Sequence, residues 1–481
     1  MRRAGVLLHI SSLPSNGPIG DLGPAARAFV RWLADSGLRS WQILPTNPVG
    51  PGRSPYASPS AFAGEPSLIS VEDLVADGLL PAQSPPPARD RVDVDAIEAW
   101  KMPLLQQAAD ALIKREPEAL DAFTQQQPWA ADWALYAALA EHHGGGWWTW
   151  PKGLRRRHAA TLDKARKTHH ASIQRHLALQ VLFERQWTRL RAECDAHGVE
   201  LIGDVPIFVS GDGADTWAHR ALFLMDPDGV QSVRAGVPPD YFSPQGQLWG
   251  NPHYDWDAMA AQDYAWWKAR LGRCLAQCHV VRVDHFRGFE SAWAVPMDAE
   301  TAMEGAWVPG PGKALFDALG PLPLIAEDLG IITPQVASLR DATGLPGMKV
   351  LQFAFGGEPD HEFLPHNFAS PNCVAYTGTH DNDTTLGWYR SAPPQVQHAF
   401  RVYVGRDGHD ASWDLIRLAW GSIAERAIAP MQDLLSQGSE HRMNIPGQAQ
   451  GNWGWRMDRW PAPWVGPRIA ELSAAYGRCL P

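Results

Sequence analysis

The sequence of 481 residues has few cysteines, no long apolar run and no excess of positive charge. Its five cysteines are an odd number and include no Cys-x-x-Cys pair, so neither a disulfide framework nor a cysteine-based zinc site is indicated. No apolar run approaches the roughly 18 residues that a membrane span needs. Forty-two basic residues face fifty-two acidic ones, and the net charge of −10 disfavours nucleic acid and anionic membranes as partners.

The N-terminus carries a short apolar segment that superficially resembles a signal peptide. Arg2 and Arg3 precede the run Ala4 to Ile10, but His9 interrupts it and no small-residue cleavage site follows. We interpret the run as a first buried strand. Together with the reduced thiols expected from the cysteine pattern, the missing signal predicts a cytoplasmic protein.

Tryptophan, in contrast, is abundant, with twenty-three residues in the chain. Most of them are expected in the hydrophobic core. The apolar face of a sugar ring also packs against flat aromatic side chains, which makes carbohydrate the first ligand class to consider.

Short apolar runs that end in a polar or charged residue recur along the chain. Runs of this form, bounded by Gly, Pro or Asp, are typical of strands buried on both faces of a parallel sheet. Helical patterns lie between them, for example at 25–36 and 413–427. This alternation predicts an α/β fold, the (β/α)₈ TIM barrel. The predicted strands are 5–9, 41–45, 200–204, 280–284, 323–327, 348–352, 373–377 and, as a weaker eighth candidate, Arg442 to Ile445.

The spacing of these strands predicts two insertions in the barrel. Residues 1–50 hold strands 1 and 2, and residues 51–195 then form a mostly helical insertion subdomain, because the gap is far longer than one crossover helix needs. Residues 196–481 form the rest of the barrel, with a loop insertion at about 211–257 after strand 3. No C-terminal β-domain is predicted.

Four carboxylates follow predicted strands: Asp204, Asp284, Glu327 and Asp381. The active site of such a barrel lies at the carboxyl ends of its strands, so these acids are expected to meet on one rim. A cluster of negative charge there suits a cationic transition state. Cleavage of a glycosidic bond passes through an oxocarbenium-like state, and retaining enzymes use two carboxyls about 5–5.5 Å apart.

The residues around these acids suggest different roles. Arg282 points to the same side of its strand as Asp284 and would keep that carboxylate ionised, which suits a nucleophile. Glu327 follows an apolar pair and is the better candidate for an acid/base, whose pKa must be raised. Asp381, flanked by His380, could hold the hydroxyl groups of the substrate.

Several segments strongly resemble the 4-alpha-glucanotransferases known as amylomaltases or disproportionating enzymes. The resemblance spans essentially the whole chain. Its catalytic segments are Arg282-Val283-Asp284-His285-Phe286-Arg287-Gly288, Ala326-Glu327-Asp328-Leu329-Gly330 and Thr377-Gly378-Thr379-His380-Asp381-Asn382-Asp383. Further matching segments are 54–56, 60–64, 203–209, 235–242, 247–252, 446–447 and 451–453.

The resemblance implies transfer of α-1,4-glucan segments between maltodextrins through a covalent glucosyl-enzyme. It assigns Asp284 as nucleophile, Glu327 as acid/base and Asp381 as transition-state stabiliser. It also implies a flap over the cleft at 235–252. The substrate-binding residues that it implies are Ser54, Tyr56, Asp204, Gln247, Trp249, Arg282, His285, Asp328, His380 and Asn452.

No cofactor and no metal are expected. The predicted partners are a maltodextrin or amylose donor and a maltodextrin or glucose acceptor, and the protein is expected to be a monomer or a homodimer. Two other functions stay open: a retaining α-glucan hydrolase with water as acceptor, and a non-catalytic glucan-binding protein. Metal-assisted hydrolysis lacks a suitable spacing of histidines.

Overall fold

In the part of the chain that the structure describes, the β-strands form one large parallel sheet and one small antiparallel sheet. A computed structural model describes residues 2–239 and 243–479. The strands are β1 (Arg3–Leu7), β2 (Ser40–Gln42), β3 (Glu200–Val205), β4 (Val233–Val237), β5 (Gln247–Pro252), β6 (Val280–Val283), β7 (Ser291–Pro296), β8 (Ala306–Pro309), β9 (Leu324–Ala326), β10 (Gly347–Val350), β11 (Cys373–Tyr376) and β12 (Arg426–Pro430).

Eight parallel strands form the barrel. Their order is β10-β11-β12-β1-β2-β3-β6-β9. The Ala326 N–H donates to the Pro346 carbonyl at 2.9 Å and links β9 to the segment that leads into β10. The strands are almost wholly buried, as expected when helices cover the outside and side chains fill the inside. The predicted (β/α)₈ barrel is confirmed.

The eighth strand is not where the sequence placed it. The prediction of a strand at Arg442 to Ile445 is wrong, because β12 pairs with both β1 and β11 and completes the parallel order. The helix predicted to run to Ala427 ends at Gly421. The run Ala427-Ile428-Ala429 is completely buried and looks, in sequence, like a continuation of the helix before it.

Helices connect most of the barrel strands. The helix Pro334–Thr343 shows why they begin and end where they do: the Thr333 hydroxyl caps it, Pro334 opens it, and Gly344 ends it at a φ of 68°. No helix in the described part of the chain is both long and apolar enough to cross a membrane. Helices outside the segment between β2 and β3 are Pro24–Asp35, Ala214–Ala218, Trp256–Ala260, Ala265–Gln277, Lys313–Leu319, Pro334–Thr343, Thr385–Ser391, Pro394–Val404, Ala411–Gly421, Met431–Leu434 and Val465–Ala475.

The long segment between β2 and β3 is mostly helical. Its central element is the helix His170–Ala196, against which Met102–Arg115 and Trp129–His143 pack. The C-terminal part of the central helix reaches the main core through Trp187 and Leu190. The division of the chain at 51 and 195 stays a prediction. The other helices of the segment are Val71–Ala76, Val94–Ala96, Glu118–Gln126, Lys152–Arg155 and Ala159–Thr168.

The insertion after β3 contains more regular structure than the predicted loop. Its strands β4 and β5 join β7 and β8 in an antiparallel sheet with the order β5-β4-β7-β8. The pairing partners β7 and β8 come from the connection after β6, about sixty residues later in the chain. The sheet could not be inferred from 211–257 alone because half of its strands lie outside that range.

An ion-paired cluster closes the amino-terminal end of the barrel. Glu200, the first residue of β3, accepts hydrogen bonds from Arg426 at 2.7 and 2.9 Å and pairs with Arg3. Burial alone would raise the pKa of Glu200. The hydrogen bond and the charge of Arg426, followed by the charge of Arg3, outweigh the effect of burial, so the pKa lies below its usual value. This end of the barrel is tied together by compensated charges.

Candidate active site

The carboxyl ends of β3, β6 and β9 bring Asp204, Asp284 and Glu327 together around Arg282. The Arg282 Nη1 donates to both oxygens of Asp204, at 2.8 and 2.9 Å. Its Nη2 lies 2.8 Å from Oδ1 of Asp284. Because Arg282 and Asp284 are two residues apart, they lie on the same side of β6, as the sequence predicted. A single guanidinium thus bridges two of the candidate site's acids.

Asp204 lies behind Arg282. Its side chain has no exposed surface, and the Tyr56 hydroxyl donates to its Oδ2 at 2.6 Å. With both oxygens engaged, the carboxylate orients Arg282 and Tyr56. It has no free face to offer a ligand in this conformation.

Glu327 has the environment of an acid that keeps its proton. The backbone N–H of His285 donates to its Oε2 at 2.6 Å, and the N–H of Leu329 donates to its Oε1 at 2.9 Å. Burial and, next, the negative charge of Asp284 raise the pKa of Glu327 to about 8, despite the opposing effect of Arg282. At neutral pH the group is therefore mostly protonated.

His285 holds Glu327 through an unusual backbone conformation. Its φ of 53° is in the left-handed region, which non-glycine residues rarely adopt, and this turn directs its N–H towards Glu327. Burial lowers the pKa of the imidazole to about 4, so the ring is neutral. The ring packs edge-on against Trp249, with centroids 4.9 Å apart, and its buried Nε2 has no protein partner among the described residues.

Asp381 lies on the segment after β11, beside an aromatic group. Its Oδ1 accepts a hydrogen bond from Asn444 at 2.6 Å, and its Oδ2 lies 3.4 Å from the His380 Nε2. The His380 ring stacks on Tyr56 at a centroid distance of 5.1 Å and an angle of 12°. The Asp381 side chain is 47% exposed, so it can still meet a ligand in the cleft.

Other predicted site residues support the cleft through local hydrogen bonds. The Ser54 hydroxyl accepts from the N–H of Tyr56 at 3.3 Å and so fixes the turn that presents this tyrosine. The Gln247 side chain accepts from the Trp249 indole at 3.2 Å. Asn452 bonds the backbone of Ile445 with both its oxygen and its nitrogen, which shapes the loop that carries Asn444.

Asp328 is the predicted residue that the structure does not bring to the cleft. Its carboxylate accepts from the Met348 N–H at 2.7 Å and from Arg340 at 2.5 Å. Neighbouring residues at a strand end point to opposite sides, so the position next to Glu327 faces away from it. Here Asp328 ties β9 to β10 and to the helix that precedes β10.

Two functional neighbours were missed by sequence reasoning. Asn444 fell inside the segment predicted as a strand, and its contact with Asp381 became visible only once that segment proved to be a loop. The ring of Trp453 is tilted against the rings of Tyr56 and His380, with centroid distances of 5.6 and 5.9 Å. Trp453 lies in the segment 451–453, and the family resemblance of that segment was the signal that could have identified it. Within residues 2–239 and 243–479, no group of three or more His, Cys, Asp or Glu side chains could hold a metal ion.

Comparisons with known proteins identify the family of the chain. A family model described as 4-alpha-glucanotransferase matches residues 8–461. The chain is 46% identical to the 4-alpha-glucanotransferase of Thermus thermophilus, over 99% of both chains, and 44% identical to that of Synechocystis sp., over 99% of this chain and 98% of the relative. The solved structure of an amylomaltase from Streptococcus agalactiae in complex with acarbose superposes with a TM-score of 0.95 at 35% identity, over 99% of this chain and all of the other.

Proposed function

The chain belongs to the 4-alpha-glucanotransferase family, enzymes that transfer α-1,4-glucan segments, and we propose that Asp284, Glu327 and Asp381 carry that reaction here. The observation that supports this proposal most strongly is the contrast between the environments of two neighbouring carboxyls, Asp284 and Glu327. Asp284 is held by Arg282 at 2.8 Å, whereas the raised pKa of Glu327, about 8, keeps its proton. A retaining mechanism needs this combination of nucleophile and acid.

In the first step, a carboxylate oxygen of Asp284 attacks the anomeric carbon of the donor glucan. The glycosidic bond breaks, and its oxygen takes the proton of Glu327, so the reducing-end segment leaves as an alcohol. The product is a glucosyl ester of Asp284 and an ionised Glu327. Asp381 holds hydroxyl groups of the sugar ring as positive charge develops on it.

In the second step, the 4-hydroxyl of an acceptor glucan gives its proton to Glu327 and attacks the anomeric carbon, which releases Asp284. Esterification removes the charge of Asp284, one of the causes that raise the pKa of Glu327. The pKa of Glu327 therefore falls in the intermediate, so that the same group is ionised when a base is required. The change of Glu327 from acid to base thus follows from the loss of one charge, that of Asp284.

The preference for transfer over hydrolysis requires that water be excluded while the acceptor binds. We assign this task to the flap at 235–252, whose Trp249 packs against His285. Tyr241 of the flap lies outside the described residues. Replacing Trp249 by Ala is expected to raise the ratio of hydrolysis to transfer, because water gains access to the intermediate. An unchanged ratio would refute this role.

Remaining features of the proposal concern partners and organisation. The donor is a maltodextrin or amylose chain, and the acceptor a maltodextrin or glucose; acarbose, present in the Streptococcus agalactiae structure, is expected to bind in the same cleft. We further propose a cytoplasmic enzyme, monomeric or homodimeric, in which 51–195 form a subdomain. Size-exclusion chromatography with light scattering measures the oligomeric state.

The decisive experiment incubates the purified protein with maltotriose and separates products by chain length. Glucose with a ladder of longer maltodextrins is expected from the wild type, and none from Asp284→Asn. Asp317→Asn, an exposed acid on the helix Lys313–Leu319, serves as the matched control and should act as the wild type does. Glucose and maltose without longer chains would identify a hydrolase. No turnover by the wild type would favour a glucan-binding protein.

A further inference from the structure

Two tryptophans form a corner on the antiparallel sheet. Trp293 of β7 and Trp307 of β8 are directly paired, which places both side chains on the same face of the sheet. Their ring centroids are 5.0 Å apart and their planes meet at 67°. The Trp293 indole donates to the Ala302 carbonyl at 2.8 Å, which fixes this ring as the wall of the corner.

The outer face of Trp307 is open. The guanidinium of Arg287 lies 3.8 Å from the centre of the Trp307 ring, and Arg287 itself is buried. Because Trp307 is nevertheless 40% exposed, Arg287 must cover its inner face and leave the other face to solvent. The Trp307 indole N–H has no protein acceptor in the part of the chain that the structure describes, so it can donate to a bound molecule.

The corner is connected to the catalytic rim. Arg287 follows His285 by two residues, and its Nη1 donates to the carbonyl of Ile331, four residues beyond Glu327. On the opposite edge of the same sheet, β5 carries Trp249 into the cleft. The corner therefore adjoins the acid/base side of the site, where the leaving segment departs and the acceptor arrives.

We propose that Trp293 and Trp307 bind distal glucose units of the acceptor α-1,4-glucan. The inference rests on the proposed function, which supplies the acceptor. A pyranose ring presents an apolar face that packs on Trp307, and its hydroxyl groups accept from the Trp307 indole N–H. A neutral sugar is the suitable occupant because Arg287 already makes the inner face of the ring cationic and a second cation would be repelled. Across the sheet, β8 lies three strand spacings of about 4.8 Å from β5, which carries Trp249, so a single glucose in the cleft does not reach the corner.

The test compares acceptors of two lengths at a fixed donor concentration. For Trp307→Ala, the KM for maltoheptaose as acceptor is expected to rise about three- to tenfold more than the KM for glucose, because only the longer chain reaches the corner. The matched control is Trp464→Ala, which removes an exposed tryptophan near the C-terminus. It is expected to leave both KM values at the wild-type level.

A second variant distinguishes the binding of glucan by Trp307 from the shielding of Arg287 by the same ring. Trp307→Phe keeps a flat ring over Arg287 and is expected to recover most of the acceptor-length preference. An unchanged ratio of the two KM values in Trp307→Ala would overturn the proposal. A uniform fall in kcat with both acceptors at an unchanged ratio would also overturn it and show that the ring only shields Arg287. If the wild type forms no longer chains at all, the proposed function fails instead.

Discussion

The two ends of the barrel both bury carboxylates against arginine, but in opposite proportions. At the amino-terminal end, Glu200 has Arg3 and Arg426 as partners. Two guanidiniums for one carboxylate lower the pKa of Glu200, so that the group stays ionised and ties three strands together. This end has the charge balance of a structural ion-pair cluster.

At the carboxyl end, the acids outnumber the cations. Arg282 touches Asp204 and Asp284, while burial and, next, the charge of Asp284 raise the pKa of Glu327. One guanidinium does not offset the burial of all these acids. Burial raises the pKa of Asp204 despite its contact with Arg282, and the pKa of Glu327, which lacks that contact, rises to about 8. The comparison teaches that the ratio of acids to arginines, rather than burial alone, separates the reactive end from the structural one.

Removal of Arg282 disrupts the charge network at the carboxyl end of the barrel and has the largest expected effect on stability and activity. In Arg282→Met, Asp204 stays buried with only Tyr56 as partner, and we expect the free energy of unfolding to fall by about 3–5 kcal/mol. The kcat of transfer should fall about a hundred- to thousandfold, because Asp284 loses its orientation. Urea denaturation and maltotriose turnover measure the two effects. Wild-type stability in this variant would contradict the charge balance described here.

The pH profile of transfer follows from the retained proton. Because the pKa of Glu327 is raised to about 8, kcat/KM in the free enzyme is expected to fall as pH rises through about 8, by about tenfold per unit above it. A profile that stays flat to pH 9.5 would contradict the assignment of Glu327 as acid. Glu327→Gln, which cannot ionise, should show no such limb in its residual activity.

Replacing an arginine by methionine at the amino-terminal end should lower stability without lowering catalytic activity. Arg426→Met leaves Glu200 with Arg3 as its cationic partner, and we expect unfolding to become easier by about 1–3 kcal/mol. The kcat should stay within about twofold of wild type, since Arg426 touches no group of the cleft. A large loss of kcat in a folded variant would mean that the two ends are coupled.

The two ends should also differ in the sign of the pH dependence of stability. The pKa of folded Glu200 is below its unfolded value of 4.5, so its contribution is present above pH 4.5 and lost as pH falls through the folded pKa. Glu327 behaves oppositely: its contribution is present below pH 4.5 and lost as pH rises through about 8. Because Gln resembles the protonated acid, both Glu200→Gln and Glu327→Gln should match wild type at low pH. As pH rises, Glu200→Gln should become less stable than wild type and Glu327→Gln more stable.

The sequence revealed the barrel and the acids because both depend on local patterns. Apolar runs ending in an acid identify strands and the rim at once, and alternation placed Arg282 beside Asp284. The strand β12 was missed because its small apolar residues lie only four residues after a helix of similar composition. Its bounding residues, Glu425 and Pro430, were the signal that could have separated the two.

The parts that could not be predicted depend on long-range packing. Nothing local indicates that Asp204 would be covered by Tyr56 from another segment, or that β4 and β5 would find partners in β7 and β8. The corner of Trp293 and Trp307 arises from that pairing. Family resemblance located the segments of the site, but the contacts that divide supporting from ligand-facing residues required the coordinates.

The join between β9 and β10 gives the ring a preferred place to open. In the described chain these strands end the paired order, and the join is held by the Ala326 N–H on Pro346 and by the Asp328 carboxylate on the Met348 N–H. Glu327 lies between these two bonds. We expect each local opening of the ring there to displace the proton donor, so that activity is lost on warming before the core melts. The amide of Met348 would exchange its hydrogen in step with that loss.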